Sequence, residues 1–121
     1  AAMIAKAHQR AVMATSAEMA GWMQALFGQN LTALVCGLDN PKTVGKWAQG
    51  QAPHPATLAR LRNAFQIAAL LEMAESRQTA QAWFVGLNPL LGDRAPARVL
   101  ADEPESAPDV MRAARAFLAH G

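Results

Sequence analysis

Apolar residues recur every three or four positions along most of the chain, which is the period of a helix with one buried face. The stretches between them are rich in Ala, and the sequence has no periodic runs of Val, Ile or Thr that would indicate strands. We therefore predict an all-α protein. The predicted helices cover about residues 1–14, 16–28, 30–38, 41–49, 55–76, 77–86, 96–100 and 106–120.

The stretch between residues 30 and 50 predicts two short helices joined by a tight turn. An apolar stripe at helical spacing marks the first helix and consists of Leu31, Leu34, Val35 and Leu38. Gly37 is a typical signal for the C-terminal end of a helix. Asn40 is a good N-cap for the second helix, and Pro41 fits the first helical position because no backbone donor is needed there.

The second helix of this pair separates its side chains into two faces. Val44, Trp47 and Ala48 share a stripe that we predict to be buried. Lys, Thr and Gln occupy the opposite side, where Lys can neutralise phosphate, Gln can contact adenine and Thr can reach either. The predicted DNA-contacting residues, including the N-cap and one residue after the helix, are Asn40, Lys42, Thr43, Lys46, Gln49 and Gln51. The alternative is a plain solvated face on a helical hairpin.

Charge is distributed unevenly, although the formal net charge is only +2. Residues 1–62 contain six Lys and Arg against two acids, a net charge of +4. Residues 63–121 contain five Arg against seven acids, a net charge of −2. A basic first half favours a polyanionic partner, and an acidic, apolar second half favours a protein partner. A dimer would present two basic surfaces, which is usual for helix-turn-helix proteins.

Composition narrows the class of protein. With 52% hydrophobic and 17% charged residues among 121, the chain can form one core or two small lobes, and we expect another chain to cover part of its surface. The single Cys36 and the lack of a long apolar segment or signal-peptide core predict a cytoplasmic protein with no membrane partner. No residue spacing indicates a metal, a cofactor or a catalytic site, so we do not expect an enzyme.

Several structural roles are predicted outside the two short helices. Residues 1–28 are expected to pack on the chain or to dimerise. The helix that opens at Pro55 is apolar nearly all round in its later turns, so we expect it to join both halves of the molecule. Arg60 and Arg62 are predicted to face outward and to serve partners.

In the last third of the chain, Pro and Gly residues predict a loop between two helical segments. Ser76 is a plausible N-cap, and Trp83 is expected to be mainly a core residue. Asn88, followed by Pro89, is expected to bridge backbone groups of the loop. Ser106 is a good N-terminal residue for the last helix.

The pair of short helices resembles the helix-turn-helix of Xre-type repressors. Those proteins have an apolar first helix, a second helix with the pattern Thr-Val-x-x-Trp-x-x-Gly, a Pro-containing loop and a Leu-rich following helix. The matching residues here are Leu31 to Leu38, Thr43, Val44, Trp47, Gly50, Pro53, Pro55, Leu58 and Leu61. The resemblance implies a DNA-binding region at residues 29–75 that acts on double-stranded operator DNA.

The last third is similar to the toxin-binding domain of the ParS/MbcA/Xre antitoxins. The matching positions are Trp83, Phe84, Asn88, Pro89, Leu91, Gly92, Arg94, Pro96, Val99 and Leu100, followed by a helix that ends in residues 114–118. Together with the Xre-like segment, the resemblance covers roughly residues 29–121. It implies a small helical toxin-binding domain at residues 76–121 of a bacterial cytoplasmic protein.

Antitoxins of that family block RES-domain toxins, which deplete cellular NAD, and repress their own operon. The resemblance therefore implies a RES-domain toxin as partner, no chemistry or cofactor of the chain's own, and a homodimer or a larger hetero-oligomer. Two arginines would pair with carboxylates at the toxin's cleft, and the end of the last helix would form a tail that enters it. The predicted toxin-binding residues are Arg112, Arg115, Phe117, Leu118, His120 and Gly121.

Three functions stay open on the sequence. The first is an antitoxin that neutralises a RES-type toxin and represses its own operon. The second is a stand-alone Xre-type transcriptional regulator with a helical dimerisation lobe, and the third is a structural helical adaptor without DNA binding. The pattern from Trp83 to Leu100 favours the first over the second. The polar face of the second short helix favours both of them over the third.

Overall fold

The computed structural model describes residues 2–120, and over that range the chain is all-α, as predicted, with no strand. Seven α-helices follow one another in this range. They are α1 (Ala2–Met13), α2 (Ser16–Cys36), α3 (Lys42–Ala48), α4 (Pro55–Ala74), α5 (Arg77–Val85), α6 (Pro96–Asp102) and α7 (Ala107–His120). Two short 3-10 turns, Pro89–Leu91 and Pro104–Ser106, precede α6 and α7.

α2 contains a break at Gly28, where φ is 83° and ψ is 166°. Glycine permits this conformation because it has no Cβ to clash at positive φ. A break leaves carbonyl groups at the end of the first segment without partners in the helix. Two side chains of α5 satisfy them: Arg77 Nη2 donates to the Ala25 carbonyl at 3.0 Å, and Gln81 Nε2 donates to the Leu26 carbonyl at 2.7 Å. The predicted helix end at Gly28 is therefore a break within α2 that α5 closes.

Arg60 and Arg62 bind inside the molecule, so the prediction that they face outward to serve partners is wrong. Arg60 Nε donates to the Val35 carbonyl at 3.3 Å. Its Nη2 donates to the carbonyls of Leu100 and Ala101, each at 3.0 Å. Arg62 makes equivalent bonds to the last carbonyls of α1. Both arginines of α4 thus satisfy the carbonyl groups that helix C-terminal ends leave unpaired.

One continuous core joins the helices, and α4 lies at its centre. α4 packs against α1 and α2 on one side and against α5 and α7 on the other, and residues 67–71 are all buried. The prediction that this helix joins both halves is confirmed. The division into residues 1–28, 29–75 and 76–121 stays a prediction. The core runs through all three parts, with fully buried side chains at Met19, Met23, Val44, Leu61, Phe84 and Val110.

The segment between α5 and α6 is a compact loop held together by Asn88. Asn88 Oδ1 accepts the Leu90 N–H at 2.9 Å, and the Asn88 backbone N–H donates to the Arg94 carbonyl at 3.1 Å. The chain reverses at Gly92 and Asp93, which both have positive φ. The prediction that Asn88 bridges backbone groups of this loop is confirmed.

The predicted N-caps of the later helices differ in outcome. Ser76 Oγ accepts the Thr79 N–H at 3.0 Å and caps α5 as predicted. Ser106 precedes α7 directly, but its hydroxyl donates to a carboxylate oxygen of Glu103 at 3.3 Å. The position of the helix start was predictable from Ser106, whereas the partner of its hydroxyl was not.

Candidate functional site

α3 separates buried and polar side chains as the sequence predicts. Val44 and Trp47 are 0% and 2% exposed, respectively, and belong to the core. Lys42, Lys46 and Gln49 are exposed on the opposite side of the helix. This seven-residue helix therefore presents two ammonium groups to solvent, and Gln49, its C-cap, adds one amide. Such groups are the usual contacts to phosphates and base edges of DNA.

The other predicted DNA-contacting residues flank that face. Asn40 is exposed, and its Oδ1 accepts the Lys42 N–H at 3.1 Å, although Pro41 rather than Asn40 occupies the N-cap position of α3. Thr43 is half-buried. Gln51 is exposed, and its backbone N–H donates to the Lys46 carbonyl at 3.0 Å, which fixes it at the end of the helix. The structure thus brings all six predicted residues to α3 and its two ends.

Two glutamines of α2 lie beside this face, and the sequence analysis did not include them. A Cβ placed on Gly45 would lie 2.8 Å from Gln29 Nε2, so the amide of Gln29 covers Gly45. Gln29 Nε2 also donates to Gln24 Oε1 at 3.2 Å. The available signal was the Gly-Gln-Asn run at residues 28–30, in which polar residues directly follow a helix break.

The cations of the two halves have different partners. Three ion pairs occur between residues 2 and 120, and they are Arg94–Glu103, Arg98–Asp102 and Arg112–Asp109. All three lie in the second half of the chain. Lys42 and Lys46 make no ion pair with the residues that the structure describes. Their charge is therefore available to an external anion.

The predicted toxin-binding residues lie on different sides of α7. Arg112, Arg115 and His120 are exposed, whereas Phe117 and Leu118 are partly buried against the core. The helix continues to His120. Phe117 and Leu118 therefore belong to the packed side of a helix. Their predicted contact with a toxin stays a prediction.

Three surface grooves separate the residues of α7 further. Arg112 borders an open groove of about 610 Å³ beside α6 and the 88–94 loop. Phe117 lines a second groove of about 420 Å³ beside α5. Arg115 and Leu118 line a third, of about 400 Å³, beside α1. The structure does not bring these residues into one cleft, and Gly121 lies outside the described residues.

Two leucines in the loop between α5 and α6 are exposed, and neither was among the residues predicted from sequence to contact a partner. Leu87 is 76% exposed and Leu90 is 66% exposed. Leu87 borders the groove that contains Phe117, and Leu90 borders the groove that contains Arg112. Each leucine adds exposed apolar area to the edge of a groove. The signal in the sequence was a leucine on each side of Asn88-Pro89, in a loop where polar residues are usual.

The charges in the groove beside Arg112 are neutralised from within. Arg94 Nη1 lies 2.5 Å from Glu103 Oε2. The hydrogen bond and the charge of Arg94 hold the pKa of Glu103 below its ordinary value, and Ser106 acts in the same direction. Asp109 pairs with Arg112 on the other wall. This groove is therefore not a ready site for a free anion.

The remaining candidate chemistry is structural. Cys36 is buried, and desolvation raises the pKa of its thiol to about 12 despite the nearby Arg60 guanidinium. A thiol with so high a pKa is a poor nucleophile. Between residues 2 and 120, no three His, Cys, Asp or Glu side chains are grouped to hold a metal ion. No helix in the same range is long and apolar enough to cross a membrane.

Comparison with known proteins adds no independent evidence on function. No family model matches the chain, and no curated protein and no solved structure matches it. The outer face of α3 and the grooved surface around α7 are therefore the observations from which a function can be inferred.

Proposed function

We propose that this chain is the antitoxin of a toxin-antitoxin pair, which binds and blocks a RES-domain toxin that depletes NAD and represses its own operon by binding DNA. On this proposal, residues 29–75 form an Xre-like helix-turn-helix and residues 76–121 bind the toxin. The observation that carries the proposal is the outer face of α3. Lys42, Lys46 and Gln49 are exposed there, opposite the buried Trp47, and neither lysine is paired within the described residues.

This face has the size and chemistry that DNA recognition needs. A short helix anchored by a buried Trp can enter a major groove, because the groove is wide enough to admit a helix. Its lysines release counterions from phosphates, and its Gln and Thr are able to contact base edges. Asn40 and Gln51, at its two ends, are placed near the flanking backbone phosphates on this proposal.

The second half supports a protein partner. Three of its five arginines are paired with acids, its net charge is −2, and the exposed Leu87 and Leu90 offer apolar area. Apolar side chains at the centre of a surface patch are typical of protein interfaces. The nature of this partner, a RES-domain toxin, is inferred from the resemblance of the Trp83–Leu100 pattern to the antitoxin family.

The test is co-expression with the product of the neighbouring gene, with growth, cellular NAD and co-elution on a sizing column as readouts. The expected result is that the neighbour alone stops growth and depletes NAD, and that this chain restores growth while it co-elutes with the toxin. Growth that is normal with the neighbour alone, together with separate elution, would contradict the antitoxin proposal.

A stand-alone Xre-type regulator that dimerises is the alternative, and the surface of α1 favours it. Met3, Val12 and Met13 are large apolar residues exposed on that helix. Exposed apolar area of this kind fits a contact between two copies of the chain. Light scattering of the purified chain, together with gel-shift assays on the DNA upstream of its gene, distinguishes this alternative. It predicts a dimer that binds DNA and has no toxic neighbour.

A further inference from the structure

The groove that contains Phe117 has no charged residue in its lining, unlike the two grooves that contain Arg112 and Arg115. We call it the Trp83 groove. It runs between α5, the start of the following loop and α7, and its main apolar walls are Trp83, Leu87, Pro89 and Phe117. None of the residues that line it is ionisable at neutral pH. The groove supplies no cation to neutralise phosphate, so it favours an uncharged occupant over nucleic acid.

Trp83, one wall of this groove, has a buried donor without a partner. Its side chain is only 8% exposed, and the indole Nε1–H has no hydrogen-bond partner. Buried donors in native proteins almost always have an acceptor, because an unmade hydrogen bond there is unfavourable. In this fold the donor belongs to a side chain that forms a groove wall rather than to one in the centre of the core.

The rim of the groove carries apolar area that nothing in the described chain covers. Leu87 borders the groove and is among the most exposed large apolar residues between positions 2 and 120. The partly buried Phe117 lies on the opposite wall, on α7. An uncharged, apolar groove with one unpaired N–H is complementary to a segment of backbone that has a bulky apolar side chain and a free carbonyl.

We propose that the Trp83 groove holds an uncharged apolar segment of the toxin, and that a backbone carbonyl of this segment accepts the Trp83 indole N–H. This inference rests on the proposed antitoxin function and assigns the toxin contact to one place. The Nε1 atom has almost no accessible surface in the free chain. Binding therefore displaces rim atoms as the carbonyl approaches, and the orphan donor gains its partner in the complex.

This assignment changes which residues are expected to contact the toxin. Phe117 lines the groove, but Arg112 borders the charged groove beside α6, and Arg115 lies on the α1 side of α7. Leu87 and Trp83, which the sequence analysis did not place at the interface, become the central contacts. Large side chains in a water-excluded centre dominate binding, and charges at the rim contribute less.

A pair of matched substitutions tests the assignment. Leu87→Asp and Leu90→Asp each introduce one carboxylate at an exposed leucine of the same loop, but only Leu87 borders the Trp83 groove. Helix content and thermal unfolding of both variants are measured first, to establish that the fold is kept. We expect Leu87→Asp to weaken binding to the purified RES-domain toxin at least about tenfold and Leu90→Asp less than about threefold. Equal weakening by the two variants, or none by Leu87→Asp, would overturn the assignment.

The indole N–H of Trp83 provides a second measurement. Its signal would not change on toxin binding if Trp83 had only a structural role. The chain has three Trp residues, so a ¹⁵N-labelled sample gives three indole signals, and Trp83→Phe identifies the one in question. We expect the Trp83 signal to shift downfield and its hydrogen exchange to slow when unlabelled toxin is added, while the Trp47 signal is unchanged. An unchanged Trp83 signal in a formed complex would overturn the carbonyl contact.

The outcomes separate this inference from the proposed function. If the wild-type chain does not bind the toxin, the antitoxin proposal and this inference both fall. If it binds, but Leu87→Asp binds equally well, only the groove assignment falls. If Leu87→Asp instead reduces the mass of the free chain in light scattering, the groove is covered by a second copy, which also overturns the assignment to the toxin.

Discussion

The outer face of α3 and the surface around α7 both contain cations but use them differently. Lys42 and Lys46 have no ionic partner within residues 2–120. Arg94, Arg98 and Arg112 each pair with an acid a few residues away in the sequence. A count of charges would not separate the two surfaces, but the pairing does. Most cations around α7 are neutralised by acids, Arg115 being the exception among the described residues, whereas both lysines of α3 are able to attract a polyanion.

The three arginines of the first half are all engaged by other groups of the molecule. Of the six cations in the first half, Arg60 and Arg62 are committed to carbonyl groups of neighbouring helices. Arg10 lies over the rings of Trp22 and Phe65, at 5.3 and 5.6 Å from their centroids. The net charge of +4 therefore overstates the charge available to DNA. The basic surface is limited mainly to the lysines.

The largest expected effect is a loss of stability when Arg60, which binds carbonyls of both α2 and α6, is replaced. Arg60→Met removes the donor to three helix-terminal carbonyls, one on α2 and two on α6, so we expect the free energy of unfolding to fall by about 2–4 kcal/mol. Urea unfolding followed by circular dichroism measures it. Arg98→Met, which breaks an exposed pair at 3.7 Å, is the control and is expected to cost less than about 0.5 kcal/mol. Similar losses in both variants would mean that Arg60 is not a structural link.

The next largest expected effect is on DNA binding, and it tests whether the α3 face and the surface around α7 bind different partners. Lys46→Glu reverses an unpaired charge on α3, so we expect affinity for operator DNA to fall at least about tenfold and the dependence on salt to weaken. Fluorescence anisotropy at several salt concentrations measures both. Toxin binding is expected to stay unchanged, because Lys46 lies outside the grooves around α7.

Lys6→Glu is the matched control for that experiment, since it makes the same change of charge at an exposed lysine of α1. An equal loss of DNA affinity in this variant would indicate a diffuse basic surface. Loss of both DNA and toxin binding in a folded Lys46→Glu chain would contradict the separation of the two surfaces.

A smaller expected effect on toxin binding tests which side of α7 contacts the toxin. Arg115→Glu changes a residue on the α1 side of α7, away from the Trp83 groove, so we expect it to weaken toxin binding by less than about threefold. Isothermal titration of the purified complex measures this. A loss as large as that expected for Leu87→Asp would return the contact to the arginine that was predicted from sequence.

The smallest effect concerns pH. The folded-state pKa of Glu103 lies below its ordinary value of 4.5 because Arg94 binds the carboxylate. The pair therefore contributes stability above pH 4.5, and this contribution is lost as the pH falls through the lowered folded-state pKa. We expect Glu103→Gln to flatten the decline of stability with acid, measured by thermal unfolding across that range. Glu105→Gln, in the same turn, is the charge-matched control.

Much of the fold was predictable because its signals are local. Helical periodicity, the capping residue Ser76, and the breakers Gly28 and Gly37 lie within a few positions of the features they set. The partners of Arg60 were not predictable, because the carbonyls it binds come from helices 25 to 41 residues away. Exposure of a long cationic side chain depends on tertiary contacts that periodicity does not contain.

The same contrast holds for the two surfaces. The buried and polar sides of α3 follow from spacing alone, since one helix determines both. The grooves beside α7 arise where α5, α6 and α1 approach it, so sequence order could not divide Arg112, Phe117 and Arg115 among them. The neutralisation of Arg94 by Glu103 was equally hidden, because a loop and a turn bring them together.

The break at Gly28 limits how this chain can be divided into fragments that fold. The carbonyls it frees are held by Arg77 and Gln81, which belong to the part of the chain proposed to bind toxin. The helix that supports α3 is thus completed by residues some fifty positions downstream. A fragment that stops before α5 would lack these donors, and a chimera would have to carry them along with the DNA-binding segment. The two regions therefore depend on each other for their folded structure and are not independent modules.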